Sequence, residues 1–584
     1  MSNEAANAGE THGSDLPWLA SYPAHVPARI GTPTYRLLGD VARDLAARRG
    51  KAKAFTTIMP NGMAASLSFT EVDRLSDAFA AYLRECLGLE AGTRVAVQIP
   101  NGLAYPVVAF GIFKAGCILV NVNPLYTAAE MAHLFADAEP GAIVGIDMFA
   151  DKLGAALAEA PIRHVVLAQA ASLFPMVQRH LIGFVQKYVK RQIPPPNFSS
   201  VGFSDALACG AARIKSGADI AAYTRMATPS DTACLQYTGG TTGVSKGAML
   251  THANLIMNVE QFLSFTGSDI SQADHLLTVL PLYHCFAFTV NFLGFFYRGA
   301  HNILIPNPRP LSNLRKAFAK SEVTFITGVN TLFNGLLHEA WFCAHPPRSL
   351  RESVAGGMAL HEAVARRWRE VTGTPVIEGY GLTEASPVLT FNPTGRAKLG
   401  AIGVPLPSTE LKCVDDQGRE VPVGEPGELI ARGPQIMAGY WKQPEETKNA
   451  LRGGWLFTGD IATMDSEGYF TIVDRRKDMI LVSGFNVYPN EVEAVLAKLP
   501  GVKECAVVGA PDEASGEAVK AFIVRSDPAL RAEAVRAFLK SELAAYKVPK
   551  TVVFRDELPK SNVGKILRKD LRWEGLLEQG LKRQ

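Results

Sequence analysis

The sequence predicts an α/β protein: a large N-terminal unit of layered helices and strands with a small β unit attached, followed by a smaller α+β unit. Three observations carry this. Short β-branched runs alternate with helical periodicity through about the first 450 residues, as in the run 94–99, the apolar stretch from Val107 and the run 118–122. Between 411 and 436 the pattern changes to brief strand-like runs with turns at Asp416-Gln417-Gly418 and Glu425-Pro426-Gly427. Beyond Asp474 it restarts, with strands expected near 505–508, 521–524 and 551–554 and helices around Glu491 and Ala534. With 584 residues, 47% hydrophobic and 20% charged, the chain has enough apolar material for about three to five structural units.

Taken in order, residues 1–30 read as a disordered tail and lead-in: Glu4, Glu10 and Asp15 interrupt a stretch with no apolar core, so it is not a secretory signal. Residues 31–473 form the large unit, 474–478 a hinge and 479–584 the C-terminal unit. Pro194, Pro195 and Pro196 and the loose stretch 216–230 suggest a joint between two subdomains. Between them and the preceding strands, 177–189 reads as an amphipathic helix. Arg179, His180, Lys187, Lys190 and Arg191 span about 120°, opposite Val177, Leu181, Phe184, Val185 and Tyr188. Its apolar face suits either an anionic membrane surface or the body of the protein. The run 275–297 carries no formal charge and is long enough to span a bilayer, but Pro281, His284 and Asn291 interrupt it. A buried strand, turn and helix is the better reading.

Fifty-nine basic and 56 acidic residues give a net charge of +3, which provides no broad cationic field and disfavours nucleic acid as a partner. Eight cysteines without a CxxC pair or regular spacing read as buried or incidental thiols, with neither a disulfide framework nor a zinc site.

The chemistry begins at Tyr237 with YTGGTTGVSKGAML, which follows an apolar run. Glycines allow backbone to approach an anion, hydroxyls and amides donate to phosphate oxygens, and a lysine adds a point charge. The loop departs from GxxxxGK[ST], since Lys246 lies between Ser245 and Gly247, so the P-loop mechanism does not transfer. A flexible surface loop is the plain alternative. Six further motifs follow: GGMAL from Gly356, GYGLTEASP from Gly379, GELIARG from Gly427, GWLFTGDIATMDSEGYFTIVDRRKD over 454–478, LVSGFNVYPNEVE from Leu481 and LPKSNVGKILRK from Leu558. From about residue 30 onward the chain resembles the acyl-adenylate-forming enzymes: acyl-CoA synthetases, luciferases and nonribosomal peptide adenylation domains. It is most similar to bacterial long-chain fatty-acid-CoA ligases.

That resemblance implies an adenylate-forming N-terminal domain and a mobile C-terminal domain, with a role for each motif residue. Tyr237, Thr238, Gly239, Gly240, Thr241, Thr242, Gly243 and Lys246 would wrap the β- and γ-phosphates of ATP. Thr383 would meet the α-phosphate, and Glu384, with Thr238, would hold Mg2+, a hard ion suited to carboxylate, phosphate and water oxygens. Gly356, Gly357 and Gly381 would line the nucleotide pocket and Tyr380 would face the base; ordinary core packing is the alternative for Tyr380. Asp460 and Arg475 would contact the ribose. Lys565 is implied as the adenylation lysine. Lys477 would be the hinge, or else part of a solvated charged turn, and Ser483 and Gly484 would meet the pantetheine of coenzyme A after rotation. His284, with Phe286 or Phe288, would gate the acyl site; a satisfied core histidine competes with that role. The segment 327–337, Gly381 and Ala385 would line a chain tunnel.

The expected function is therefore ATP-dependent ligation of a long-chain, or medium-chain, fatty acid to coenzyme A through an acyl-AMP. An acyl-AMP ligase serving a carrier protein and a catalytically silent nucleotide- or lipid-binding homologue are the alternatives. No GxDS serine follows the C-terminal unit, which favours coenzyme A. The remaining expectations are a cytoplasmic location, peripheral contact with an anionic membrane and a homodimer.

Overall fold

Continuous β-branched runs form the interiors of two large sheets, as expected of parallel strands covered on both faces. The computed structural model describes residues 16–238, 245–266, 270–483, 485–512, 515–561 and 563–572. Among these residues, one sheet has eight strands in the order Gly439–Tyr440, Gly247–Thr251, Thr232–Tyr237, Ile118–Asn121, Arg94–Gln98, Ala142–Ile146, His164–Ala168 and Val201–Gly202. From Thr232–Tyr237 to Val201–Gly202 every pairing is parallel. The second sheet has nine strands, with a parallel centre running from Lys53–Ile58 through His301–Leu304, His275–Thr278, Phe325–Gly328 and Glu352–Ala355 to Val376–Gly381. Helices start where the chemistry of their first turn allows. Ser68 with Glu71 and Thr127 with Glu130 form reciprocal capping boxes on Phe69–Ala81 and Ala128–Ala138.

The turn-rich stretch becomes a five-stranded unit containing Glu410–Val414, Gly427–Arg432, Trp455–Met464 and Phe470–Arg475. Its last hairpin sets Asp460 directly opposite Arg475. The C-terminal unit pairs Val502–Asp512, Gly516–Arg525 and Thr551–Arg555 and packs Pro489–Leu496 and Ala532–Glu542 around its own apolar core. The uncharged run divides into the strand His275–Thr278, a turn and the helical stretch Ala287–Tyr297, with Phe288, Phe292 and Phe295 wholly buried. Among the described residues no helix is long and apolar enough to cross a membrane.

Three expectations are corrected. The stretch 216–230 is not a joint between subdomains, because Val201–Gly202 before it and Thr232–Tyr237 after it belong to one sheet. The lead-in is part of the body from its first described residues. Trp18, Tyr22 and Val26 are buried, the Tyr22 hydroxyl donates to the Pro405 carbonyl at 2.6 Å, and Trp18 packs on Phe470. Cys86 and Cys209 are not incidental: the packing of the helical turn Tyr82–Cys86 against Phe203–Lys215 joins them in a disulfide across 123 residues, a proximity no spacing rule reveals. The expected amphipathic helix forms as Met176–Phe184, continued by a wider turn over Val185–Val189. It buries Ile182, and its apolar face lies open to solvent.

Candidate active site

Ligands of open α/β sheets gather beyond the carboxyl ends of parallel strands. Here the ends of Thr232–Tyr237, Glu352–Ala355 and Val376–Gly381 meet the small β unit and the C-terminal unit around a cleft of about 2760 Å³. Thr238, Lys246, Gly356, Gly357, Tyr380, Gly381, Thr383, Glu384, Asp460, Arg475, Lys477, Lys565 and His284 all line it. Residues from both ends of the sequence thus face one volume. Gly239, Gly240, Thr241, Thr242, Gly243 and Gly484 lie outside the described residues.

Thr232–Tyr237 and Gly247–Thr251 are antiparallel, and the Thr238 N–H donates to the Lys246 carbonyl at 2.9 Å. The Lys246 ammonium pairs with Glu446 and lies 5.3 Å from the centre of the Tyr440 ring. The Tyr440 hydroxyl donates to Glu384 Oε1 at 2.7 Å, so one aromatic side chain links lysine and carboxylate. Tyr237 borders the cleft, but its hydroxyl is engaged by Asp137. Thr383 Oγ1 donates to Cys285 Sγ at 3.3 Å.

On the nucleoside side, the Tyr380 hydroxyl donates to Asp460 Oδ2 at 2.5 Å while Arg475 Nε approaches Asp460 Oδ1 at 3.3 Å. The carboxylate is fixed from two sides at the rim of the hairpin that pairs it with Arg475. Gly381 has no room for a side chain, since a Cβ there would fall 1.9 Å from the Pro387 carbonyl oxygen. Glu378, one residue ahead of the recognised motif, accepts from the Leu360 N–H at 3.1 Å, and burial pushes its carboxyl up to about 8.

Lys565 enters the cleft from the C-terminal unit. Its stem passes so close to Gly357 that a Cβ there would lie 3.0 Å from Lys565 Cε. Burial, then the neighbouring Arg475, lowers its pKa. His284 is held near 3, first by burial and then by the charge of Lys565, so its ring is neutral; its Nδ1 accepts from the Phe286 N–H at 3.3 Å. Phe286 borders the cleft beside Gly356, whereas Phe288 is wholly buried. Phe262, Val290, Val354, Val388 and Phe391 give the adjoining wall its apolar character. Segment 327–337 and Ala385 do not line the cleft; the segment instead meets the C-terminal unit through Thr331 and Asn334.

The segment 474–478, expected as a hinge, is gripped by arginines of the C-terminal unit. Arg568 binds Glu493 at 2.7 Å and Asn490 at 2.5 Å, and it stands 3.5 Å from the fully buried Asp474. Arg572 donates to the Lys477 and Asp478 carbonyls. Ser483 is exposed and is not among the cleft residues.

A Mg2+ site fits this donor set in one form. No group of three or more His, Cys, Asp or Glu is placed to hold a metal among the described residues. Glu384 offers a carboxylate with one oxygen held by Tyr440. An ion there would draw its other ligands from water and substrate phosphates, the habit of magnesium.

The profile of the family described as AMP-binding enzyme matches residues 43–441, and that of the AMP-binding enzyme C-terminal domain matches residues 491–565. The chain belongs to the AMP-binding enzyme family. Among its relatives in that family is a long-chain-fatty-acid--CoA ligase of Escherichia coli O6:H1, 48% identical over 95% of this chain and 98% of the relative. A protein of the same name from Haemophilus influenzae is 43% identical over 96% and 99%. The crystal structure of an anthranilate CoA ligase in complex with anthranoyl-AMP superposes with a TM-score of 0.82 at 27% identity, covering 94% of this chain and 99% of that one. Against this family frame, sequence reading passed over Glu378, Tyr440 and Glu446. Acids in the apolar run VIEGYG and in the first turn of the helix Pro444–Ala450 were the available signals for Glu378 and Glu446.

Proposed function

We propose that this AMP-binding enzyme is an ATP-dependent long-chain fatty acid-CoA ligase that acts through an acyl-AMP, releasing pyrophosphate and then AMP. The observation that carries the reading is the buried ammonium of Lys565, delivered by a second domain to a cleft that also holds Asp460, Arg475, Lys246 and Glu384. The relatives named above support the fatty-acid class of substrate.

A carboxylate is a poor electrophile, so its oxygen attacks the α-phosphorus of ATP and pyrophosphate leaves. Such an in-line displacement needs positioning and charge neutralisation more than covalent help. Asp460 would accept from the ribose hydroxyls, with Tyr380 and Arg475 fixing its orientation. Lys246 would exchange Glu446 for phosphate oxygens. Lys565 would lie between the fatty carboxylate and the α-phosphate, where charge shifts in the transition state. Neutral His284 and Phe286 would border the acyl chain. When bound at Glu384 with Thr238, Mg2+ supplies charge neutralisation to the phosphates. Rotation at Lys477 would then withdraw Lys565 and bring Ser483 to the pantetheine arm, whose thiol displaces AMP.

The test is pyrophosphate-ATP exchange with magnesium and oleate, followed by AMP release on adding coenzyme A. Exchange that requires oleate and AMP release that requires coenzyme A are expected. ATP binding without exchange would assign a silent homologue, and AMP release with a carrier protein but not with coenzyme A would assign the other acceptor.

A further inference from the structure

The helix Met176–Phe184 and its continuation Val185–Val189 connect the two strands at the far edge of the eight-stranded sheet, His164–Ala168 and Val201–Gly202. A crossover element normally turns its apolar stripe toward the sheet it covers. This one does the opposite. Ile182 is its buried side chain, while Val177 is 79% exposed, Leu181 52%, Phe184 56% and Tyr188 62%. The spacing of 177, 181 and 184 puts these three on one stripe of the helix within about 60° of arc, and Tyr188 follows on the wider turn. The Phe184 and Tyr188 rings lie 5.2 Å apart along it. His180 and Lys187 are exposed on the same element, and the exposed Lys190 and Arg191 follow directly at its end, so basic groups border the apolar stripe. The whole connection 169–200 contains Arg179, Lys187, Lys190 and Arg191 and no Asp or Glu. The nearby carboxylate of Asp147, which feels the charge of Lys187, is itself buried.

We infer that this helix is a docking surface for an anionic lipid bilayer, lying in the plane of the interface with its apolar stripe among the acyl chains and its basic groups on the headgroups. The charge pattern selects this occupant. In a two-fold contact with a second copy centred on this helix, the basic groups would face their own image. A helix about 21 Å long also offers far less than the roughly 800 Å² per partner that a stable interface buries. Its place at the sheet edge, five strands from Thr232–Tyr237, puts it about 24 Å from the strand whose end borders the cleft, so a bilayer there leaves the cleft accessible. The inference is independent of the ligase reading.

Co-sedimentation of the full chain with vesicles of phosphatidylglycerol and phosphatidylethanolamine tests it, with phosphatidylcholine vesicles as the comparison. Binding to the anionic vesicles at low salt, falling about tenfold or more at high salt and on phosphatidylcholine, is expected. The double substitution L181S/F184S should lower the partition by about tenfold at either salt, and K187Q/R191Q should remove much of the salt dependence. Both variants should keep wild-type turnover of a short, freely soluble fatty acid; if the wild type does not turn this acid over, unchanged thermal unfolding of the variants serves as the check on folding. Absence of wild-type binding, or equal binding by L181S/F184S, would overturn the inference. So would a dimer in sedimentation velocity that L181S/F184S dissociates, which would give the face to a second copy.

Discussion

Lys565 has its charge where charge is costly. Burial, reinforced by Arg475, lowers its pKa, so the protonated form that the proposed adenylation would use is lost at a pH below the ordinary lysine value. The kcat/KM of oleate-dependent pyrophosphate exchange should therefore fall along an alkaline limb that reports free Lys565, while kcat should hold to higher pH because bound phosphates favour the ammonium. Lys565→Arg, slow but permanently charged, should lack the limb; its persistence would assign it to another group. Glu378 behaves in the opposite sense, since a carboxyl raised to about 8 keeps its proton in the folded state after the unfolded chain has lost it. Its stabilising contribution is complete below its ordinary range near 4.5 and disappears as pH rises through about 8. Between about pH 6 and about pH 8 this single group should cost about 2 kcal/mol, read as a fall in thermal midpoint that Glu378→Gln flattens. An equal fall in the variant would show that Glu378 is not the source.

At the level of elements, two glycines define how closely the loops approach. Gly357 has φ +79°, and its missing Cβ makes room for the Lys565 stem. Gly357→Ala adds backbone strain of about 1 kcal/mol and pushes Lys565 off its position, so adenylation should fall about tenfold or more. Thiolysis of supplied acyl-AMP, which does not use this arrangement, should stay within about threefold; equal losses in both half-reactions would argue for general misfolding. Gly356→Ala, at ordinary φ but 3.1 Å from the Phe286 ring, should disturb fatty-acid KM more than ATP KM. These positions were legible in sequence because a motif quotes its own glycines. The strand runs around 94–99 and 505–508 were legible because burial on both faces leaves an unbroken apolar signature. The 216–230 stretch misled, because a loop between two strands of one sheet has the composition of a linker. The pairings of Tyr440 with Glu384, of Glu446 with Lys246 and of Cys86 with Cys209 were illegible for a different reason: the partners stand tens of residues or more apart, and proximity of that kind is a product of folding.

For the whole molecule, the question is which arrangement of the two domains the contacts describe. The Thr331 hydroxyl donates to the Gly564 carbonyl at 2.9 Å and Asn334 Nδ2 to the Lys503 carbonyl at 3.1 Å, so the large domain holds the loop that carries Lys565. Ser483 meanwhile is exposed to solvent. On the proposed ligase reading, this arrangement would suit adenylation and the thioester step would use another, reached by changing dihedral angles near 474–478. Arg568 and Arg572 would travel with the C-terminal domain, since their partners Glu493, Asn490 and the Lys477 carbonyl lie on its side of the hinge or at it. The cost of rotation then falls on the few contacts across the cleft, each worth about 1 kcal/mol. Removing the lysine and freezing the hinge should separate the half-reactions. Lys565→Ala deletes a charge aimed at the transition state and should slow acyl-AMP formation at least about 100-fold while leaving coenzyme A attack on supplied acyl-AMP near wild type. Lys477→Pro fixes φ near −65° and restricts Arg476 before it, so the domain stays where Lys565 works. Adenylation should then persist within about threefold while thioester formation falls about tenfold or more. Single-turnover measurement of each half-reaction reads both variants, and equal loss of the two steps in each would mean that one fixed arrangement serves the entire reaction.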